Sequence, residues 1–278
     1  MSQIAAIQMA SGPNVNSNLI EAGRLIADAV KAGAKLIVLP ENFAFLGQSE
    51  ADKFAHAEND GEGPMQDFLA KQAKKHAVWI VGGTVPMRGT DEKRVRQVCL
   101  LFNDQGQRVA RYDKIHLFDV RIDATGENYN ESETIEPGDE VVVVDTPFGK
   151  LGIAICYDLR FPELFRRMLD EGVEIIALPS AFTAITGRAH WEPLVRARAI
   201  ENLCYLIAAD QGGYHVSGRE THGDSMIVDP WGQVLDRLPS GSGYIIAEVE
   251  RGHVSKVRKN FPATTHRRIS CSLSGDAS

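Results

Sequence analysis

No apolar run in these 278 residues approaches the roughly 20 residues that a helix needs to cross a bilayer. Basic residues are also short, with 30 Lys and Arg against 37 Asp and Glu. The resulting formal charge of −7 argues against nucleic acid or an anionic membrane as the main partner. Cysteine is scarce. The four, at 99, 156, 204 and 271, form no CxxC pair, so the chain has neither a disulfide framework nor a zinc pattern. Cys99 and Cys204 lie within apolar stretches and read as core residues, which suits a reducing cytoplasm. Gly82-Gly83-Thr84 lacks the spaced glycines and helix start that phosphate binding needs. The N-terminus has no basic flank and reads as a strand, not a signal peptide.

What remains is ordinary globular composition, 44% hydrophobic and 24% charged. Short apolar runs at 4–9, 36–39 and 78–81 alternate with helical patterns at 16–32 and 65–76. Strands at 98–102 and 108–112 flank Asn103-Asp104-Gln105-Gly106, a hairpin turn by composition. The second half repeats the idea, with strands at 141–144 and 151–155 and a helix opening at Pro162. A strand at 174–178, a helix at 189–202 and strands at 204–209, 225–228 and 244–249 follow. Strands interleaved with helices in both halves imply a layered α/β fold. No low-complexity linker divides 1–268, read as one domain, and 269–278 reads as a loose Ser-rich tail.

Three residues stand just past strands. Glu41 follows Leu36-Ile37-Val38-Leu39-Pro40, Lys114 follows Arg111-Tyr112-Asp113, and Cys156 follows Leu151-Gly152-Ile153-Ala154-Ile155. Taken singly, each has a bland reading: a solvated loop glutamate, a surface lysine, a buried structural cysteine. For Cys156, however, a strand leading through a sharp turn into a helix is also the geometry that presents a nucleophile beside backbone N–H groups.

Taken together, Pro40-Glu41-Asn42, Tyr112-Asp113-Lys114-Ile115-His116-Leu117 and Ile155-Cys156-Tyr157-Asp158-Leu159-Arg160-Phe161-Pro162-Glu163 resemble the Glu–Lys–Cys signature of the nitrilase superfamily of carbon–nitrogen hydrolases. The resemblance runs from the first strand to about Arg268. It implies a four-layer α-β-β-α sandwich, a homodimer or higher homo-oligomer, and hydrolysis of an amide or nitrile C–N bond without metal or organic cofactor. Cys156 would be the nucleophile, Glu41 its base, and Lys114 the oxyanion partner together with the backbone N–H of Tyr157. A second active-site glutamate maps onto Glu131, with Glu133 close enough in sequence to compete. The stretch from Pro179 to Glu192, with Arg196-Ala197-Arg198-Ala199-Ile200-Glu201-Asn202, is similar to the deaminated glutathione amidase branch. That branch implies a small-molecule amide substrate, an α-keto acid analogue. The rival is an ω-amidase acting on α-ketoglutaramate; a nitrile hydrolase or a non-catalytic binding relative is further off, since Glu41, Lys114 and Cys156 are all present. Both favoured substrates are anionic, which directs attention to Arg121, Arg160 and Arg188 as carboxylate partners. For each, a structural or solvated role is the simpler reading, and Arg188 stands where many relatives carry Pro. His190-Trp191-Glu192 reads as a helix start packed on the core or a dimer interface.

Overall fold

Alternation along the strands sets the layering. In β1 (Ser2–Gln8), Ile4 and Ala6 face one way, Ala5 and Ile7 the other, and all four are fully buried. A strand covered on both faces belongs to the middle of a multilayer fold. The same split recurs around β2 (Leu36–Val38), where Leu36 and Val38 oppose Ile37 and Leu39. The computed structural model describes residues 1–91, 93–122 and 126–270.

Between these strands lies α1 (Val15–Lys31), capped by Asn14, whose side chain accepts the Ser17 N–H at 2.9 Å. Next come α2 (Pro64–His76), opened by proline, and β3 (Trp79–Val81), β4 (Val85–Arg88), β5 (Val95–Phe102) and β6 (Arg108–Asp113). A small hairpin, β7 (Asp119–Ile122) and β8 (Glu127–Asn130), precedes β9 (Val143–Thr146) and β10 (Gly149–Ile153). The chain continues through α3 (Pro162–Asp170), β11 (Ile175–Ser180), α4 (Ala184–Asn202) and β12 (Tyr205–Asp210). A second hairpin, β13 (Gly212–Tyr214) and β14 (Glu220–His222), leads to β15 (Ser225–Val228), β16 (Val234–Leu238), β17 (Gly243–Val249) and α5 (Arg251–Asn260).

Two sheets result. One runs β17-β1-β2-β3-β5-β4 with β6 also on β5; the other runs β16-β15-β12-β11-β10-β9. Each has a centre of three parallel strands, β1-β2-β3 and β10-β11-β12. Ala5, Ile7 and Ile37 pack under Leu25, Ile26 and Ala29 of α1 and Leu69 of α2. Ile4, Ala6, Leu36 and Val38 join a second cluster with the β10–β12 strands, Phe165 of α3, and Trp191 and Val195 of α4. Helices outside and two sheets inside make the expected α-β-β-α sandwich.

Strand ends shift by about two residues, as at β9 and β10, and one helix start moves further. α4 begins at Ala184, not at 189, and carries Pro193 within it. Gly187 lies inside it, where the His222 side chain occupies the space a Cβ would take, 2.3 Å away. His190-Trp191-Glu192 is therefore inside the helix, not at its start. Trp191 is fully buried, and its indole N–H donates to the Asp224 carbonyl at 2.8 Å. Cys99 and Cys204 are core residues as expected; the tail beyond Ser270, with Cys271, lies outside the described residues.

Candidate active site

Glu41 follows the central parallel strand β2, where Pro40 ends the ladder. The turn is tight. Asn42 adopts φ 57°, its N–H donates to Thr84 Oγ1 at 2.8 Å, and Gln97 Nε2 donates to both Asn42 Oδ1 (2.6 Å) and Thr84 Oγ1 (2.8 Å). Gly83, at φ 55°, passes so close to the Pro40 carbonyl that a Cβ would lie 2.2 Å from it. Gly82-Gly83-Thr84 thus holds the Glu41 turn in place. From the other sheet, Gln211 Nε2 donates to the Glu41 carbonyl at 2.9 Å.

Lys114 leaves the end of β6. Its N–H donates to the Gln97 carbonyl at 3.0 Å, so the same glutamine braces both the Glu41 turn and the lysine. Its Nζ donates to Glu41 Oε1 at 3.0 Å and to both oxygens of Glu131 at 2.9 Å. Glu131 Oε2 also accepts the Phe118 N–H at 2.7 Å. Glu133 is exposed and bonded to Asn130, so Glu131 is the glutamate that enters the cluster. Burial alone would lower the Lys114 pKa and raise that of Glu41, since Lys114 is 2% exposed and Glu41 3%. The charges reverse both: Glu131 and Glu41 hold Lys114 well above its ordinary value, while Lys114 and then Lys53 hold Glu41 below its own. The resting pair is an ammonium and a carboxylate.

Cys156 adopts φ 47°, a conformation that costs a non-glycine residue about 1–3 kcal/mol and persists only where its surroundings enforce it. Asp158 does the enforcing. Fully buried, it accepts from Tyr112 Oη at 2.7 Å and the Ile155 N–H at 2.8 Å through Oδ2, and through Oδ1 from the His116 N–H at 3.1 Å. His116 Nδ1 also lies 2.7 Å from Oδ1, and its ring stacks on Phe161 at 3.7 Å. One carboxylate therefore ties the cysteine turn to the segment that carries Lys114. Asp158→Ala is expected to lower unfolding stability by about 3 kcal/mol or more, since it orphans several buried donors. Urea denaturation measures this, and an unchanged midpoint would show that the network does not hold the turn.

Burial pushes the Cys156 thiol well above its ordinary pKa and the Glu41 charge adds to this, with Lys114 opposing. Cys204, also buried, is pushed up to about 12 and Cys99 further still. What sets Cys156 apart is its company. Its thiol interacts with the Glu41 carboxylate, the Lys114 ammonium and the Ala181 backbone N–H, and its 8% exposure opens into a pocket.

Glu41, Lys114, Glu131 and Cys156 all line that pocket, with Tyr157 and Arg160. The Tyr157 ring meets Phe118 and Phe161 edge-on, at 5.0 and 5.2 Å. The Arg160 guanidinium lies 5.3 Å from the Phe182 ring centre and 5.9 Å from that of Tyr157, with Nη1 3.2 Å from His190 Nδ1. Arg188 is elsewhere: exposed on α4, one position past the inward-packed Gly187, and not in the pocket wall. Arg121, on β7, is also exposed and outside it. Two lining cations have no signal in the sequence motifs. Lys53 sits in a short 3₁₀ segment with its Nζ 2.5 Å from Glu50 Oε2, and Arg219 lies between β13 and β14. Among the described residues, no cluster of three or more His, Cys, Asp or Glu side chains could hold a metal ion, and no helix is long and apolar enough to cross a membrane.

Comparison with known proteins agrees with this geometry. The family model for carbon–nitrogen hydrolases matches residues 3–259. The deaminated glutathione amidase of Yersinia enterocolitica is 41% identical, over 97% of this chain and 94% of its own. The NitFhit protein of C. elegans superposes with a TM-score of 0.88 at 37% identity; 96% of this chain is covered, but only 65% of the longer NitFhit chain. Saccharomyces cerevisiae Nit3, of branch 10 of the nitrilase superfamily, gives a TM-score of 0.86 at 31% identity, over 96% of this chain and 97% of its own. The chain belongs to the carbon–nitrogen hydrolase family, within the nitrilase superfamily, and is an enzyme that hydrolyses carbon–nitrogen bonds.

Proposed function

We propose that this enzyme hydrolyses the amide bond of a small, carboxylate-bearing α-keto acid amide, deaminated glutathione, through a thioester on Cys156. The observation that carries the chemistry is the Lys114 ammonium, shared between Glu41 and Glu131 in the same pocket as the Cys156 thiol. The substrate is supported by relatives of that name at 41% identity in Yersinia and 38% in human.

The resting thiol is neutral, so attack and proton transfer go together. As sulfur bonds to the amide carbon, Glu41 accepts the thiol proton. The carbonyl oxygen gains negative charge and is met by the Lys114 ammonium and the backbone N–H of Tyr157, which stands in the first turn of the Cys156–Arg160 3₁₀ segment and so lacks an intrahelical acceptor. Collapse breaks the C–N bond while Glu41 returns the proton to the departing amine, cysteinylglycine. Water then adds to the thioester with Glu41 again as base, and the released acid leaves the thiol as it began. Glu131 holds Lys114 in position throughout. Arg160, between the Phe182 and Tyr157 rings in the pocket wall, offers its fork to the acyl carboxylate.

Purified protein assayed against deaminated glutathione and α-ketoglutaramate tests this, with intact mass measured during turnover. The expected result is faster cleavage of the first and an acyl adduct on Cys156; turnover of α-ketoglutaramate alone would make the enzyme an ω-amidase.

Three further readings belong with this proposal. Residues 1–268 act as one domain, supported by a core cluster drawn from both halves. The chain works in a reducing cytoplasm, supported by three free cysteines among the described residues; recovery in an oxidising compartment on cell fractionation would overturn this. It forms a homodimer through an outer helical surface, supported by an exposed apolar patch of Ile200, Trp231 and Phe261. Trp231→Glu is expected to shift sedimentation from dimer to monomer, and a wild-type monomer at micromolar concentration would refute the assembly.

A further inference from the structure

Among the described residues, two cations of the pocket wall, Arg160 and Arg219, have no carboxylate partner, and of these Arg219 also carries a buried donor that nothing accepts from. Arg219 Nη2 donates to the Ala181 carbonyl, and its guanidinium lies 5.2 Å from the Tyr129 ring centre. Its Nε is buried with no hydrogen-bond acceptor, and among the described residues no carboxylate stands within ion-pair distance of it. Lys53, by contrast, is already paired with Glu50. A buried donor on a charged group is costly unless something completes it, so an orphan here points to a ligand.

The pocket also continues past this residue. A second recess shares Asn42, Glu50, Lys53, Tyr129 and Arg219 with the first. Beyond them its wall is mostly short polar side chains and loop backbone, such as Gln48, Ser49, Asn128 and Ser217, with one further carboxylate, Glu127, and one apolar side chain, Leu46; none of these is a group the mechanism uses. Arg219 stands at the junction. Its reach to the reacting centre is fixed through Ala181, whose N–H faces the sulfur while its carbonyl accepts from Nη2. Three such steps put the guanidinium within about 10 Å of the thiol. Two amino-acid residues, extended, span about 7 Å.

We propose that the second recess is a leaving-group subsite for a short peptide amine, and that Arg219 anchors its terminal carboxylate. This rests on the amidase reading above and assigns the half of the substrate which that reading leaves unplaced. The acyl half stays with Arg160 and the catalytic cluster, while the amine half crosses Tyr129 into the polar recess. An amide of ammonia leaves the subsite empty, so the same enzyme distinguishes extended from primary amides by a contact remote from the bond that breaks.

Three amides of one acyl group, 2-oxoglutarate, test the idea: with cysteinylglycine, with cysteinylglycine bearing a C-terminal carboxamide, and with ammonia. Wild-type kcat/KM for the free acid is expected to exceed that for the carboxamide by about tenfold to a hundredfold, the range for one charge-assisted contact. In Arg219→Ala and Arg219→Met that ratio is expected to fall to near one, whatever loss is common to all three amides; Arg219→Lys keeps part of it. Equal wild-type rates on acid and carboxamide would overturn the subsite while leaving the amidase reading intact. A ratio that survives in Arg219→Ala would overturn Arg219 as the anchor. An enzyme that cleaves none of the three overturns the proposed function, and the subsite with it.

Discussion

Cys156→Ser is expected to lower kcat/KM by at least about three orders of magnitude while leaving the unfolding midpoint within a degree or two of wild type. The reason lies in the base. Lys114 and Lys53 hold the Glu41 carboxyl below its ordinary pKa, making it a weak proton acceptor. A thiol, even one raised by burial, is within reach of such a base when attack and transfer are concerted; an alcohol is several pKa units further away. Sulfur is also the better nucleophile and the better leaving group from the acyl-enzyme. Stability should hardly change, because the two side chains are nearly the same size and the φ of 47° is imposed by the Asp158 network, not by the sulfur. Cys156→Ala should behave likewise in both respects. The paired measurement is a kinetic assay with thermal denaturation, and a Cys156→Ser enzyme of near wild-type rate would eliminate the thioester.

Much of this was open to sequence reasoning because it is local. Each of Glu41, Lys114 and Cys156 follows a strand legible from its own neighbours, and the unbroken apolar run Ile4-Ala5-Ala6-Ile7 reads as a strand, which the fold buries on both faces. Residues that act across the fold leave no such mark. Asp158 sits in the cysteine motif, but its hold on His116 and Tyr112 spans more than forty positions. Arg219 enters the pocket from a Gly-flanked loop whose composition says only that the chain turns there. Gly187 carries the same lesson. Glycine weakens helices, so nothing local explains its place inside α4; the cause, the His222 ring packed against it, lies 35 positions on. The helix then fixes the direction of Arg188, about 100° round from the inward Gly187 and away from the pocket.

Lys114→Met is expected to give a folded protein that is inactive and has an altered dependence of stability on pH. Activity should drop by at least about a hundredfold to a thousandfold, the usual cost of one oxyanion donor, and further because the base is disabled as well. In wild type the Glu41 pKa is depressed in the folded state, so this group contributes stability above its unfolded value, and the contribution is lost as pH falls through the depressed folded value. Removing the ammonium leaves Glu41 and Glu131 buried together without their shared partner. Burial, the largest influence on Glu41, then acts with less opposition and raises its pKa. The sign inverts: the folded state now binds a proton more tightly than the unfolded chain, and stability from this group rises as pH falls through the raised folded value. Breaking a buried pair costs about 3–5 kcal/mol, and protonation of one carboxyl recovers part of it. Denaturation of both proteins between pH 5 and pH 8 separates the possibilities. A variant relatively more stable at pH 5 than at pH 8, folded by circular dichroism and inert at both, is the expected result. A variant unfolded throughout would make the lysine a structural ion pair, and one that keeps wild-type turnover would remove Lys114 from the chemistry.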